Sequence, residues 1–206
     1  MSEMGNNVPK TVTIPLGGDL EITLPVLPFS AQESVGVLNC VDEEFADVDV
    51  LAEALVDRIH AQGLQPDAVL CVPTQGYVLG SMVARRLGLD RVYAVKKSVK
   101  IFESAADMVS VTYGSITSGG STLYMPRVWG ESLRDKSVIL VEDVIATGGT
   151  LGAALDLCDQ AGLRVGGIFV AFVEARPIWR EKLGRYADQV TALAEIPVYH
   201  TQPKDD

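Results

Sequence analysis

Apolar positions recur along this chain with two alternating periods. Leu51, Leu55 and Ile59 fall at i, i+4 and i+8, so residues 47–60 predict a helix with one apolar face. Ala68 to Val72 follows as a continuous apolar run, which reads as a short buried strand. Val78, Leu79, Met82 and Val83 share one side of a helix over 77–87 that stops at Gly88. Arg91 to Val95 reads as another strand. Val138, Ile139, Leu140 and Val141 run without a break and predict a fully buried strand. Leu151, Leu155 and Cys158 then stripe a helix that ends near Gly162, and Val165 to Val173 supplies a further strand. Strands alternating with helices predict an α/β fold, a parallel sheet flanked by helices. In such sheets a ligand sits beyond the carboxyl ends of the strands.

The N-terminal segment follows a different rule. Thr11 to Leu16 and Leu20 to Pro25 flank Gly17-Gly18-Asp19, which predicts a β-hairpin. Residues 1–45 therefore read as a small N-terminal hood and 46–206 as the core domain. The stretch from Ser98 to Ser121 has weak periodicity and reads as a lid or a surface loop.

The chemistry concentrates after the run at Val138–Val141. Glu142 and Asp143 follow at once, then Ala146-Thr147-Gly148-Gly149-Thr150 opens a helix. A turn of small residues exposes backbone N–H groups, and the helix behind adds its own unpaired donors and its dipole. That is an anion site, with Thr147 and Thr150 as further hydroxyl donors. Two carboxylates beside it suit a ligand that carries hydroxyls, or positive charge, as well as a phosphate. The P-loop is excluded, since no Lys follows Gly148 or Gly149. Gly148, Gly149 and Gly152 give only part of the dinucleotide fingerprint; with Glu174 as a ribose-binding acid that reading stays open, as does a plain strand–turn–helix corner. A second corner of the same kind lies at Cys71-Val72-Pro73-Thr74-Gln75-Gly76.

Composition narrows the field. The chain has 206 residues, 48% hydrophobic and 21% charged, a globular balance. Its net charge of −10 opposes nonspecific nucleic-acid and membrane binding. Lys96, Lys97 and Lys100 form the one compact cationic cluster. No apolar run is as long as a membrane span, and the first residues lack the apolar core of a signal peptide. Cys40, Cys71 and Cys158 are widely spaced, so neither a disulfide framework nor a zinc site is expected and a cytoplasmic protein is.

Val138 to Thr150, a hydrophobic strand, two acids and a T-G-G-T loop, resembles the phosphoribosyl-pyrophosphate (PRPP) motif of type I phosphoribosyltransferases. Pro73-Thr74-Gln75-Gly76 resembles the family's pyrophosphate loop in the P-T-x-G form of some purine enzymes. Lys96-Lys97 is similar to the segment whose second Lys reaches pyrophosphate, with a solvated charge pair as the competing reading. Val173-Glu174-Ala175 and Arg180-Glu181-Lys182-Leu183 resemble the tail of adenine phosphoribosyltransferases. The resemblance covers roughly Val48 to Leu183.

It implies a purine-salvage transferase that moves 5-phosphoribosyl from PRPP to a purine, adenine first and hypoxanthine or guanine second. It implies PRPP binding by Thr74, Gln75, Gly76, Lys97, Glu142, Asp143 and Ala146 to Thr150. Glu142, Asp143 and Lys97 would be catalytic, and Phe29, Val144 and Ile145 would hold the base. Mg²⁺, carried mainly by PRPP, and a homodimer are implied as well. Two departures stand out. Adenine enzymes carry Glu-Tyr-Gly in the lid, whereas Thr117-Ser118-Gly119, read as the nearest segment, lacks the acid. Glu142 also stands where they often have Asp. A PRPP-sensing regulator on the same fold and a non-purine transferase are the alternatives.

Overall fold

The computed structural model describes residues 8–18, 20–42, 44–114 and 120–200. Its first elements are an antiparallel hairpin, β1 (Thr11–Gly17) and β2 (Leu20–Pro28), where Ile14, Leu16, Ile22, Leu24 and Val26 all point inward. Alternation along each strand buries one face and leaves the other to solvent. Gly17 and Gly18 take positive φ at the bend, a conformation glycine reaches without strain. β3 (Glu33–Gly36) adds to β2.

The core then alternates as its pattern predicts. It runs through α1 (Phe45–Ala61), β4 (Ala68–Cys71), α2 (Gly76–Arg86) and β5 (Tyr93–Ala94). A hairpin of β6 (Met108–Tyr113) and β7 (Ser121–Pro126) and the short α3 (Val128–Ser132) interrupt it. β8 (Val138–Ile145), α4 (Gly149–Ala161), β9 (Val165–Glu174), α5 (Ile178–Leu183), β10 (Val190–Ile196) and β11 (Val198–His200) complete it. Five strands in the order β10-β9-β8-β4-β5 form a parallel sheet. A second sheet, β1-β2-β3-β11, covers one end, taking its last strand from near the carboxyl terminus.

Successive residues of the parallel strands feed opposite layers. Val69, Cys71, Ile139 and Val141 pack with α1, α2 and the hairpin, whereas Ala68, Leu70, Val138 and Leu140 pack with α4. Both faces are covered, which is why these strands read as unbroken apolar runs.

Three expectations shift. The central strand runs on through Glu142 and Asp143 to Ile145, so the acids lie within it and not after it. The strand expected at 91–95 shortens to Tyr93–Ala94, because Lys96 turns away to pair with Tyr124. The stretch 98–121 contains β6 and a 3-10 turn at Ala105–Asp107. Its β-branched and aromatic residues, Val109, Val111, Thr112 and Tyr113, carry that strand without a clean apolar alternation.

Candidate functional site

Parallel pairing brings the carboxyl ends of β4, β8 and β9 to one edge of the sheet. The two strand–turn–helix corners meet there. The N–H of Val72 donates to the carbonyl of Val141 at 3.0 Å. A Cβ on Gly76 would stand 3.0 Å from the Val141 carbonyl oxygen and 3.2 Å from the Glu142 Cα. Only glycine lets the turn at 73–76 lie this close against the backbone that carries the acids. The Pro73–Thr74 peptide is cis. Thr74 is exposed and Gln75 half-buried. The Gln75 amide donates to Asn39 Oδ1 at 2.5 Å, and its oxygen accepts from the N–H of Val41 at 3.1 Å. That side chain is therefore committed to holding the 39–41 segment, and backbone is what Gln75 has to offer an anion.

Glu142 and Asp143 define the electrostatics. Glu142 is buried, and its Oε2 meets no hydrogen-bond partner among the described residues. Burial pushes its carboxyl well above the usual range, the neighbouring Asp143 adds to that, and Lys97 opposes both. Asp143 is half-buried, and burial pushes it up to about 6. The backbone N–H groups of Asp143 and Val144, and then Lys97, hold it back. A buried carboxylate oxygen without a donor is costly, so a pair like this is built for a ligand that brings donors or positive charge.

The anion corner begins one residue beyond β8. Gly148 caps α4 at φ 75°, and a Cβ there would lie 3.3 Å from backbone atoms of Trp179. The positive φ favours glycine and the contact is tight, so Gly148→Val strains the fold as well as the loop. Thr150→Val is the cleaner test. It removes a hydroxyl donor at the first turn of α4 and keeps the shape. PRPP affinity is expected to fall about tenfold to a hundredfold, by the loss of one hydrogen bond to a charged group, with the melting temperature held. Unchanged binding by calorimetry would remove the Thr150 hydroxyl from the phosphate site and leave the anion to the backbone N–H groups alone.

Lys97 is exposed, and among the described residues it forms no ion pair; Lys96 is taken by Glu103. Of the residues expected to hold a base, Val144 is half-buried against the α1 side and Ile145 is 1% exposed in the α4-side core. Ile145 can thus offer a ligand only its backbone. Phe29 is 63% exposed at the hood.

Three groups near the site were not anticipated. The Thr150 hydroxyl lies 3.3 Å from the Tyr113 hydroxyl, and the Tyr113 ring stands 3.6 Å from where a Gly149 Cβ would be. Tyr113-Gly114, preceded by Thr112, is the literal Tyr-Gly of the lid motif, and that dipeptide was the available signal. It is a closer match than Thr117-Ser118-Gly119, which lies outside the described residues. The acid of the motif is replaced by Thr112, whose hydroxyl is 2.9 Å from that of Thr122 across the hairpin. Trp179 is the second group, backing Gly148. Arg176 is the third, paired with Glu174 and Glu33. Glu174 is therefore bound to a guanidinium, which disfavours its reading as a ribose-binding acid. Burial pushes the Cys71 and Cys158 thiols up to about 12, so neither serves as a nucleophile at neutral pH.

The chain is similar to known proteins. The profile of the phosphoribosyl transferase domain family matches residues 43–204. An adenine phosphoribosyltransferase of Rhodococcus jostii is 38% identical over 152 residues, 74% of this chain and 81% of that protein. The structure of the Giardia lamblia enzyme complexed with 9-deazaadenine superposes with a TM-score of 0.60 at 22% identity, covering 90% of this chain and 93% of the other. That of adenine phosphoribosyltransferase from Thermoanaerobacter pseudethanolicus gives 0.63 at 20% identity, covering 90% and 95%. At these identities the two structures speak for the fold.

Proposed function

We propose an activity for this chain, which belongs to the phosphoribosyl transferase domain family: it transfers 5-phosphoribosyl from PRPP to a purine base and releases pyrophosphate. Adenine is the first acceptor, in line with the name of its relatives, and hypoxanthine or guanine the second. The observation that carries the reading is the pair Glu142–Asp143, with a Glu142 Oε2 that has no partner among the described residues, set against the T-G-G-T corner.

Each group then has a task. Backbone N–H groups of Ala146 to Thr150 hold the 5′-phosphate. Glu142 and Asp143 accept from the ribose diol, which supplies the donor that Glu142 lacks. The 74–76 turn and Lys97 hold the pyrophosphate. The bond from C1′ to the pyrophosphate oxygen breaks, and a bond from C1′ to a base nitrogen forms. Positive charge that grows on the ribose ring is met by Asp143, and negative charge on the leaving group by Lys97. By analogy with the family, Asp143 also helps the base lose its proton.

The donor set fits Mg²⁺ in a particular way. Two adjacent carboxylates and a diol suit a cation carried on substrate phosphates, since Mg²⁺ usually keeps one or two carboxylates and several other oxygens. Among the described residues, no group of three or more His, Cys, Asp or Glu side chains could hold it alone. When bound it would neutralise pyrophosphate charge.

The hood, residues 1–45, covers the base and the core, 46–206, holds PRPP, with β11 completing the hood sheet. Among the described residues no helix is long and apolar enough to cross a membrane. The buried thiols of Cys71 and Cys158 suit a reducing cytoplasm. A homodimer is the proposed assembly, and the exposed Ile101 and Phe102 are apolar surface for it to cover.

The test is pyrophosphate release from PRPP and Mg²⁺ with adenine, hypoxanthine, guanine, xanthine and uracil in turn. Turnover is expected with adenine foremost. PRPP binding without turnover on any base would point instead to a regulator, a reading that Thr112 in place of the lid acid favours.

A further inference from the structure

Glu174 ends β9, and the residue is only 6% exposed. A buried carboxylate needs a partner, and Arg176 Nε donates to Glu174 Oε2 at 2.7 Å. The same guanidinium reaches across to the hood, where Nη2 donates to Glu33 Oε2 at 3.0 Å. Its carbon lies 5.4 Å from the centroid of the Phe29 ring, within cation–π range. The N–H groups of Phe29 and Ser30 both donate to the Glu33 carbonyl, so Phe29 sits in a tight turn above its own anchor. Yet the ring is 63% exposed. A large aromatic side chain is thus pinned by a fixed guanidinium and presented to solvent.

The position matters as much as the geometry. Ile145 pairs with Val173 in the parallel sheet, so Glu174 stands level with Ala146, where the anion loop begins. The guanidinium and ring therefore sit at the ligand edge of the sheet. Two carboxylates against one guanidinium leave this corner negative, and His200 Nδ1 stands 3.6 Å from Glu33 Oε1. A phosphate would be repelled here. A flat, uncharged heterocycle that donates hydrogen bonds would not.

We propose that Arg176 is a positioning residue, tied down by Glu174 and Glu33, that holds the Phe29 ring as a stacking platform for the acceptor base. The proposal rests on the transferase reading above and goes beyond it by naming what orients the base-binding ring. Arg176→Gln and Phe29→Leu are each expected to raise the KM for adenine about tenfold, the usual worth of one base–aromatic stack. The KM for PRPP should stay within about twofold, since one aromatic contact to the base is all that changes. The double variant should be little worse than either single one, because the two act as a unit. Arg176→Lys should recover part of the loss, keeping charge but not the fork.

A lower melting temperature with the adenine KM unchanged, or an equal rise in both KM values, would make Arg176 a mere staple and overturn the proposal. Should Arg176→Gln fail to fold, Arg176→Lys takes its place beside Phe29→Leu, and a normal adenine KM in either variant overturns the proposal. Calorimetric titration of adenine into the same proteins needs no turnover. Wild type that binds adenine without forming product would refute the transferase, while the loss of binding in Phe29→Leu would still support the platform. Wild type that neither binds nor turns over any purine, with PRPP present, would overturn both.

Discussion

Asp143→Asn is expected to lower kcat/KM by about 10²–10³-fold, the range seen when one electrostatic stabiliser is removed from an active site, while the protein melts higher at neutral pH. The two effects share one cause. Burial pushes the Asp143 carboxyl up to about 6, so the folded protein holds its charged form at a cost. The sign follows from linkage. A carboxyl whose pKa is raised on folding imposes no penalty below its unfolded pKa of about 4. The penalty grows as pH rises through 4 to 6 and is complete above. It is of order 1–3 kcal/mol. The neutral amide escapes it, and a gain of that size raises Tm by a few degrees in a chain of this length. The difference in Tm should shrink toward pH 4. The same titration should set the acid limb of kcat/KM in the free protein near 6. Kinetics across pH beside thermal melts check both halves. A large fall in Tm with activity intact would make Asp143 a structural partner and end its catalytic role.

A residue that is unfavourable for folding and central to the ligand edge is what a functional carboxylate looks like. Glu142 is the more extreme of the pair, with a buried oxygen that nothing in the described fold satisfies. Their adjacency, and the small-residue turn after them, were legible in the sequence because the features are local. So were the central strands, whose burial on both faces leaves unbroken apolar runs such as Val138–Val141. Tyr113 was legible in principle, but a search for an acid in the lid passes over Thr112-Tyr113-Gly114. What no local pattern carries is pairing across the chain. Glu33 and Arg176 are 143 residues apart, and only the closure of the β1-β2-β3-β11 sheet over the core brings them together. The Gln75 side chain is a similar case, since its bonds to Asn39 and Val41 depend on where the hood meets the core.

Lys97→Met should lower kcat/KM for PRPP about a hundredfold, the scale of losing one donor aimed at developing charge. Lys97 is exposed, makes no ion pair among the described residues, and acts on both acids, lowering the pKa of Glu142 and of Asp143. It is therefore a cation close enough to act on both acids, with no ion-pair partner among the described residues. Methionine keeps the unbranched stem and removes the charge. Two consequences separate this from an ordinary surface lysine. The KM for PRPP should rise while that for the base stays put, if the proposed place of the charge beside the pyrophosphate holds. The acid limb of kcat/KM should also move to higher pH, since a cation that favours ionised Asp143 has gone. Lys96→Met is the control. Its charge is already bound to Glu103, so the variant should disturb the 100–103 turn and leave the limb where it was. If Lys97→Met kept both the PRPP KM and the acid limb of the wild type, Lys97 would be a solvated charge and the pyrophosphate would have to be held by the 74–76 backbone alone.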